Sequence, residues 1–365
     1  VYTVYQHFTG YRNTAVGGLS LDALTTGNNN TAIGYQAATE RTSGNDNVAV
    51  GAYCMNAAAT GDNNTSVGKS SMHDLTSGYA NTALGLDALK GITTGYNNVA
   101  VGYRALDTAT TVHSCIAIGY DALGAANTSN SQVAVGRAAL GANTSGEGVA
   151  LGAYALAAQT TGTHNTAIGY ATLDAITTSS NNTAVGHEAL TNTTTGSSNV
   201  AVGAYALETN TGGTQNTAIG GYALEANTTG NQVTAVGFRA LDQNTTADNN
   251  TAMGHSALGA NTVGYSNSAV GAYALDACTD GDNNTAMGHN SLGACNTGRN
   301  NNAYGVQSLR DLTSGGQNNA HGGDCLQGVT TGSNNIGIGH DAGRGNSPSG
   351  NITTGSNNIC LGDDN

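Results

Sequence analysis

The sequence contains no tryptophan, two phenylalanines and one proline in 365 residues. Without large aromatic side chains it cannot build the thick core of an ordinary globular domain. With one proline against 54 glycines, its turns must be made mainly by glycine. Basic residues are scarce too: 10 Lys and Arg stand against 23 Asp and Glu, giving a net charge of −13 with no basic cluster. Binding to a nucleic-acid backbone is therefore not expected. No apolar run reaches the roughly 18 residues of a membrane span, so this segment is not expected to insert into a bilayer. The 6 cysteines form no CxxC pair and no zinc-ligand spacing. Charged residues make up only 9% of the chain, too few for a charge-rich disordered segment.

What the sequence does have is a period. Glycine recurs every 17 residues at Gly17, Gly34, Gly51, Gly68, Gly85 and Gly102, and the series continues to Gly339. Only the step from Gly136 to Gly152, one residue short, and that from Gly339 to Gly362, six residues long, break it. A single period running along the chain argues for one repeat body instead of several globular domains. It divides as a continuous array over residues 1–345, then an insertion containing Pro348 and a last repeat over 346–365. Val1, Val4 and Gly10 already stand in phase, and Gly362–Asn365 stops within a repeat, which predicts an array continuing in both directions.

The working consensus is N-T-A-V-G-Y-x-A-L-x-A-x-T-T-G-x-N. A second glycine follows the marker by ten residues, as at Gly27, Gly44 and Gly61, so each repeat carries two corners. The stretch N-T-A-V-G alternates as a short strand does, and A-L-x-A predicts a second, weaker one. Helix is rejected there because about six residues between turn signals are too few. The predicted fold is all-β: a β-solenoid of about 21 coils, forming an elongated rod near 100 Å long at roughly 4.8 Å per coil.

In such a stack identical positions form columns. Val16, Ile33, Val50 and Val67 are expected to line the interior, together with the leucines from Leu21 to Leu326. Asn13, Asn30, Asn47, Asn64, Asn81 and Asn98 are expected to form an amide ladder. The alanines and glycines of the strand, such as Ala15 and Gly17, then face the opposite side. There they either admit the close approach of another rod or fill a narrow interior.

Chemistry-bearing residues are weighed against that background. His187, His255, His289 and His340 follow the marker glycine, but no two lie on adjacent coils, so no metal site and no cofactor is expected. Tyr53, Tyr154, Tyr205 and Tyr273 share one column and Tyr79 and Tyr96 another. Exposed aromatics of this kind either stack on sugars or shield the coil's corners. Cys278 and Cys295 occupy one position on adjacent coils, at a spacing that leaves both a disulfide and two free thiols open. Cys54, Cys115, Cys325 and Cys360 replace small residues. The corners Gly61-Asp62-Asn63-Asn64 and Gly281-Asp282-Asn283-Asn284 read as turns held by local hydrogen bonds, since they lack a calcium-binding nonapeptide. Serines and threonines have no unique base beside them, so catalysis is not expected.

The string N-T-A-I-G-Y at Asn30–Tyr35 and Asn165–Tyr170 resembles the head repeats of YadA-like trimeric autotransporter adhesins and the N-T-A-I-G-Y-x-A-L arrays of phage tail fibres. The resemblance covers nearly every repeat, although the unit here is longer than the adhesins' own. It implies a homotrimeric fibre exposed on a virion or cell surface. Combined with the rod, it yields the expected function: an extracellular structural and adhesive shaft for host or surface attachment. The expected partners are further copies in a parallel bundle or filament, and a cell-surface glycan or receptor. A self-assembling surface filament is the alternative. Ice binding through pairs such as Thr25-Thr26 is a weaker one, because adjacent threonines on a strand point to opposite faces.

Overall fold

The computed structural model describes residues 9–57, 59–125, 128–345 and 350–362. Val1, Val4, Pro348 and the last three residues lie outside that set. The chain is all-β, a parallel β-solenoid on the 17-residue repeat, and the described residues contain no helix. It divides into two compact units, Val1–Asn181 and Asn182–Asn365. The first holds ten described strands, from β1 (Thr14–Val16) to β10 (Asn165–Ile168), and the second holds eleven, from β11 (Thr183–Val185) to β21 (Ile359–Leu361). Within each unit consecutive strands pair in parallel with like residue on like, as Thr14 with Thr31, Ala15 with Ala32 and Val16 with Ile33.

The neighbouring coil dictates the marker glycine and crowds the second corner, which nevertheless holds Val112, Ser129, Ser179 and Ala247 on four coils. Gly34 has φ +139°, and a Cβ there would sit 2.5 Å from the carbonyl oxygen of Gly51. No L-side chain fits that corner. At the second corner a Cβ on Gly27 would lie 2.3 Å from the Gly44 carbonyl oxygen. Close stacking of backbone on backbone, repeated each coil, is what sets the period.

The A-L-x-A segment is not a second strand. Asp87 and Leu89 have φ of 56° and 50°, in the left-handed region, whereas an extended strand needs negative φ. Ala88 and Leu89 are consecutive and both buried, which strand alternation forbids. The segment is a run of turns that still bonds coil to coil, with Leu89 N–H donating to the Ala105 carbonyl at 2.9 Å. A leucine held left-handed costs roughly 1–2 kcal/mol. Its full burial and the coil-to-coil bond offset that cost.

The inward and outward faces of the strand are the reverse of those expected. Ala32, Ala83 and Ala100 are buried, while Ile33 is 40% and Leu84 50% exposed. The inward position of the strand is too cramped for a β-branched residue. Leu326 and its neighbours show why: even a Cβ added at Gly337, in the alanine position, would meet Cys325 Sγ at 2.5 Å and Leu326 Cγ at 2.7 Å. The leucine column fills the space from the opposite wall, so the strand can present only a small side chain to it. The alanines are therefore the filling of a narrow core and not a lateral docking stripe.

Buried asparagines complete the core. Asn64 Nδ2 donates to Asn47 Oδ1 at 3.1 Å on the preceding coil and to the Gly78 carbonyl at 3.0 Å on the next. Asn47 Oδ1 also accepts the backbone N–H of Asn64 at 2.9 Å. The same arrangement links Asn81 to Asn64 and Asn98 to Asn81, and Asn30 donates to Asn13 at 3.3 Å.

Both breaks in the period spare the strands. Across the short step Val133 still pairs with Val149, because the residue lost is the left-handed one that normally precedes the asparagine. Across the long step Ile336 pairs with Ile359, so the strand register is kept.

Candidate functional site

The outer face of the strands is the most extensive candidate surface. Residues three and one before the marker glycine point outward from the described strands, and the residue between them, alanine except at Ser66, Gly337 and Cys360, points in. The first column is mostly threonine, valine or isoleucine, and the second mostly aliphatic. In the second unit Val202 is 37% and Met253 46% exposed. None of the described strands contains a Lys, Arg, Asp or Glu, although the chain as a whole carries a net −13. Toward the end of the second unit the face turns aromatic and polar: the rings of Tyr304 and His321 stack at 4.8 Å, and Asn302 Nδ2 donates to Asn319 Oδ1 at 2.9 Å.

The aromatic residues after the marker glycine form a second feature. In the second unit His187, Tyr205, Tyr222, Phe238, His255, Tyr273 and His289 make an unbroken series, with ring centres 5.1 to 6.0 Å apart. The tyrosines thus alternate with histidine and phenylalanine contributed by coils where tyrosine is missing, a continuity the tyrosine spacing alone did not reveal. In the first unit Tyr53 meets Tyr35 edge-on, and Tyr154 meets Tyr170 likewise. Tyr79 and Tyr96 stack face to face, and His113 covers the far side of Tyr96. A sugar needs an open ring face. In the Tyr79–Tyr96–His113 stack most faces are already covered by one another, so this column presents ring edges.

Several of the buried cysteines are held protonated by their environment. Cys278 and Cys295 are both buried and free. Contact with the Cys278 sulfur, together with burial, holds the Cys295 thiol protonated well above the ordinary range. Burial pushes Cys325 up to about 11 and raises Cys54 and Cys115 as well. Cys54, Cys115, Cys295 and Cys325 are therefore not poised thiolates, whereas the contact with Cys295 lowers the pKa of Cys278.

One cluster escaped the sequence reading. Asp324, His340 and Asp341 come together with their ligand-type atoms within 4.8 Å of one another. The readable signal was aspartate at one repeat position on consecutive coils with a histidine beside it. Arg344 is already there: its guanidinium bonds Asp341 and lies 3.8 Å from Asp324 Oδ1. A cation would have to displace that guanidinium, so the group is accounted for as an ion-pair network. The aspartate corners are likewise occupied, since Asp62 Oδ1 accepts from the Asn45 backbone at 2.6 Å and Asp282 Oδ1 from Tyr265 N–H at 3.1 Å.

The threonine column before the second corner is also engaged. Thr25 Oγ1 donates to the Thr42 carbonyl at 2.8 Å and Thr93 Oγ1 to that of Thr110 at 3.0 Å. Among the described residues no helix is long and apolar enough to cross a membrane.

Fold and surface together define a β-solenoid repeat protein with an uncharged outer strand face. No protein-family model matches the chain, and no curated protein matches it.

Proposed function

We propose that the chain is a structural and adhesive shaft segment, extracellular on a virion or cell surface, whose outer strand face packs against further copies of itself. The observation that carries this reading is the uncharged, largely β-branched face. A soluble sheet surface ordinarily carries charges that prevent association. Here charge is absent from the strands while acidic residues crowd the turns. Two partly exposed side chains per coil over a unit of about ten coils offer on the order of 1,000 Å², against roughly 800 Å² per partner in a stable interface. A second copy is the fitting occupant because its columns repeat at the same spacing, so rows of side chains interlock along the whole unit. The engagement of the corner threonine hydroxyls, such as those of Thr25 and Thr93, in coil-to-coil bonds supports this over ice binding through the Thr25-Thr26 type of pair.

Light scattering at native concentration tests it. The chain should run as a discrete oligomer, and Ile33→Lys, Val67→Lys and Val101→Lys combined should release monomers with an unchanged β-type circular dichroism spectrum. A wild-type monomer overturns the proposal. Open-ended growth by end-to-end contact, seen by electron microscopy and unaffected by the lysines, replaces it with the filament reading.

A further inference from the structure

Tyr79 and Tyr96 hold the same corner position on consecutive coils of the first unit. Their ring planes are parallel to within 2° and their centres are 4.9 Å apart. Tyr79 is 47% exposed and Tyr96 half-buried, so an oxidant in solution reaches the pair. The register of the corner is fixed by backbone bonds: Asn97 N–H donates to the Tyr79 carbonyl at 3.1 Å and Ser114 N–H to the Tyr96 carbonyl at 3.1 Å. His113, bridged to Tyr96 in parallel, packs on the far face and keeps that ring in the stack.

We propose that Tyr79 and Tyr96 are a site of oxidative cross-linking, at which one-electron oxidation joins the two phenols as dityrosine and ties adjacent coils covalently. Each phenol gives up one electron and one proton to become a tyrosyl radical. The two radicals pair by forming a carbon–carbon bond between positions ortho to the oxygens. The two ortho hydrogens then shift to the oxygens and restore aromaticity. The electrons go to hydrogen peroxide through a haem peroxidase, and with the two protons they reduce it to two waters. Parallel stacking lays the two phenol rings face to face with their centres 4.9 Å apart. Fixed adjacency of this kind favours coupling within the pair over encounter between molecules.

The geometry ranks the other pairs. Tyr205 and Tyr222, at 5.1 Å and 17°, form the next candidate, in the second unit. Tyr35–Tyr53 and Tyr154–Tyr170 stand edge-on at 86° and 85°, with centres 5.6 and 6.0 Å apart, so these rings do not lie face to face. The inference is independent of how copies of the chain associate.

The test treats the dilute full-length chain with a haem peroxidase and hydrogen peroxide, isolates the monomer band under denaturing conditions, and digests it with trypsin. Cleavage after Lys69, Lys90 and Arg104 separates Tyr79, in residues 70–90, from Tyr96, in residues 91–104. The expected product is these two peptides joined, lighter than their sum by two hydrogens and fluorescing as dityrosine. It should be lost in Tyr96→Phe and kept in Tyr103→Phe, which alters the only other tyrosine of the second peptide. Absence of the joined peptide, its persistence in Tyr96→Phe, or equal coupling at the edge-on Tyr35–Tyr53 pair overturns the proposal.

Discussion

The two units share one backbone plan but differ in how one core column arranges its polar residues. The seventh residue after the marker glycine points inward in both. In the first unit the column is mixed: Leu24, Arg41, Leu75 and Ile92, then Asn143 and Gln159. In the second it contains, between Thr193 and a stretch of Cys278, Cys295, Leu312 and Val329, an unbroken run of four asparagines, where Asn227 donates to Asn210 at 3.0 Å, Asn244 to Asn227 at 2.9 Å and Asn261 to Asn244 at 3.0 Å. The core tolerates a polar residue when the next coil offers its complement. Where the run ends or is mixed, polar atoms are stranded: Arg41 Nε, Gln159 Nε2, Thr193 Oγ1 and Asn261 Oδ1 are all buried without a partner, and all lie in this column.

The first unit also shows how two columns compensate for each other. Its main asparagine ladder is interrupted at Cys115, Gln132 and Gly148. At that interruption the seventh-residue column turns polar. Asn143 Nδ2 donates to Gln132 Oε1 at 2.7 Å, and Asn165 Nδ2 to Gln159 Oε1 at 2.9 Å. The amide network thus crosses the core where it cannot run along it.

Breaking the second unit's ladder should have the largest effect. Asn227→Leu removes the bonds to Asn210 and Asn244 and one of the two donors to the Gly230 carbonyl, leaving the buried Asn210 Oδ1 without its donor and Asn244 Nδ2 without one of its acceptors. The expected loss is about 2–4 kcal/mol, read as a fall in the urea midpoint of the second unit. In the first unit a leucine in the same column should do the opposite. Arg41 is fully buried, its Nη1 only 3.6 Å from the Met55 sulfur and its Nη2 on the Gly61 carbonyl. Burial pulls its pKa down to about 10. Arg41→Leu should therefore stabilise by about 2–3 kcal/mol at neutral pH. The sign has a second check. The folded state releases this proton before the unfolded state does, so wild-type stability should rise as pH climbs through about 10, and the substitution should abolish that rise.

A smaller gain is expected where the second unit's ladder stops. Asn261 Oδ1 faces a cysteine position instead of another amide. Cys278→Asn should extend the ladder by one rung and add about 1 kcal/mol, seen as slower amide exchange in the flanking coils. Failure to stabilise would show that the unpaired oxygen is not what limits the stack there.

These columns explain how much could be read from the sequence. The marker glycine and the first asparagine ladder were legible because the same residue recurs in nearly every coil, Asn64 standing over Asn47 as a repeat demands. The seventh-residue column was not, since leucine, arginine, asparagine and cysteine share it and only their stacking partners give it meaning. The faces of the strand were misread for a different reason. Alternation shows that Val16 and Ala15 point opposite ways but not which way is in, and the usual preference for a large apolar interior fails when a leucine from the far wall has already filled it. The outer face followed only once that inversion was seen.

The smallest effect separates the units by charge. Burial raises the pKa of Glu208, Asp242 and Asp276 in the second unit but, among the described carboxylates with a resolved shift, only that of Asp174 in the first. Asp242 and Asp276 both reach toward the notch at Gly259, and their mutual repulsion adds to the shift of Asp276. A carboxyl raised in the folded state binds its proton more tightly there than in the unfolded chain, so it destabilises at neutral pH and ceases to do so as pH falls through its folded value. Mild acidification toward the ordinary carboxylate range should therefore slow amide exchange, corrected for its intrinsic pH dependence, more in the second unit than in the first. Asp276→Asn should remove part of that difference without touching the asparagine ladders. An equal response of the two units would mean that solvent screens these half-buried groups enough to erase the contrast.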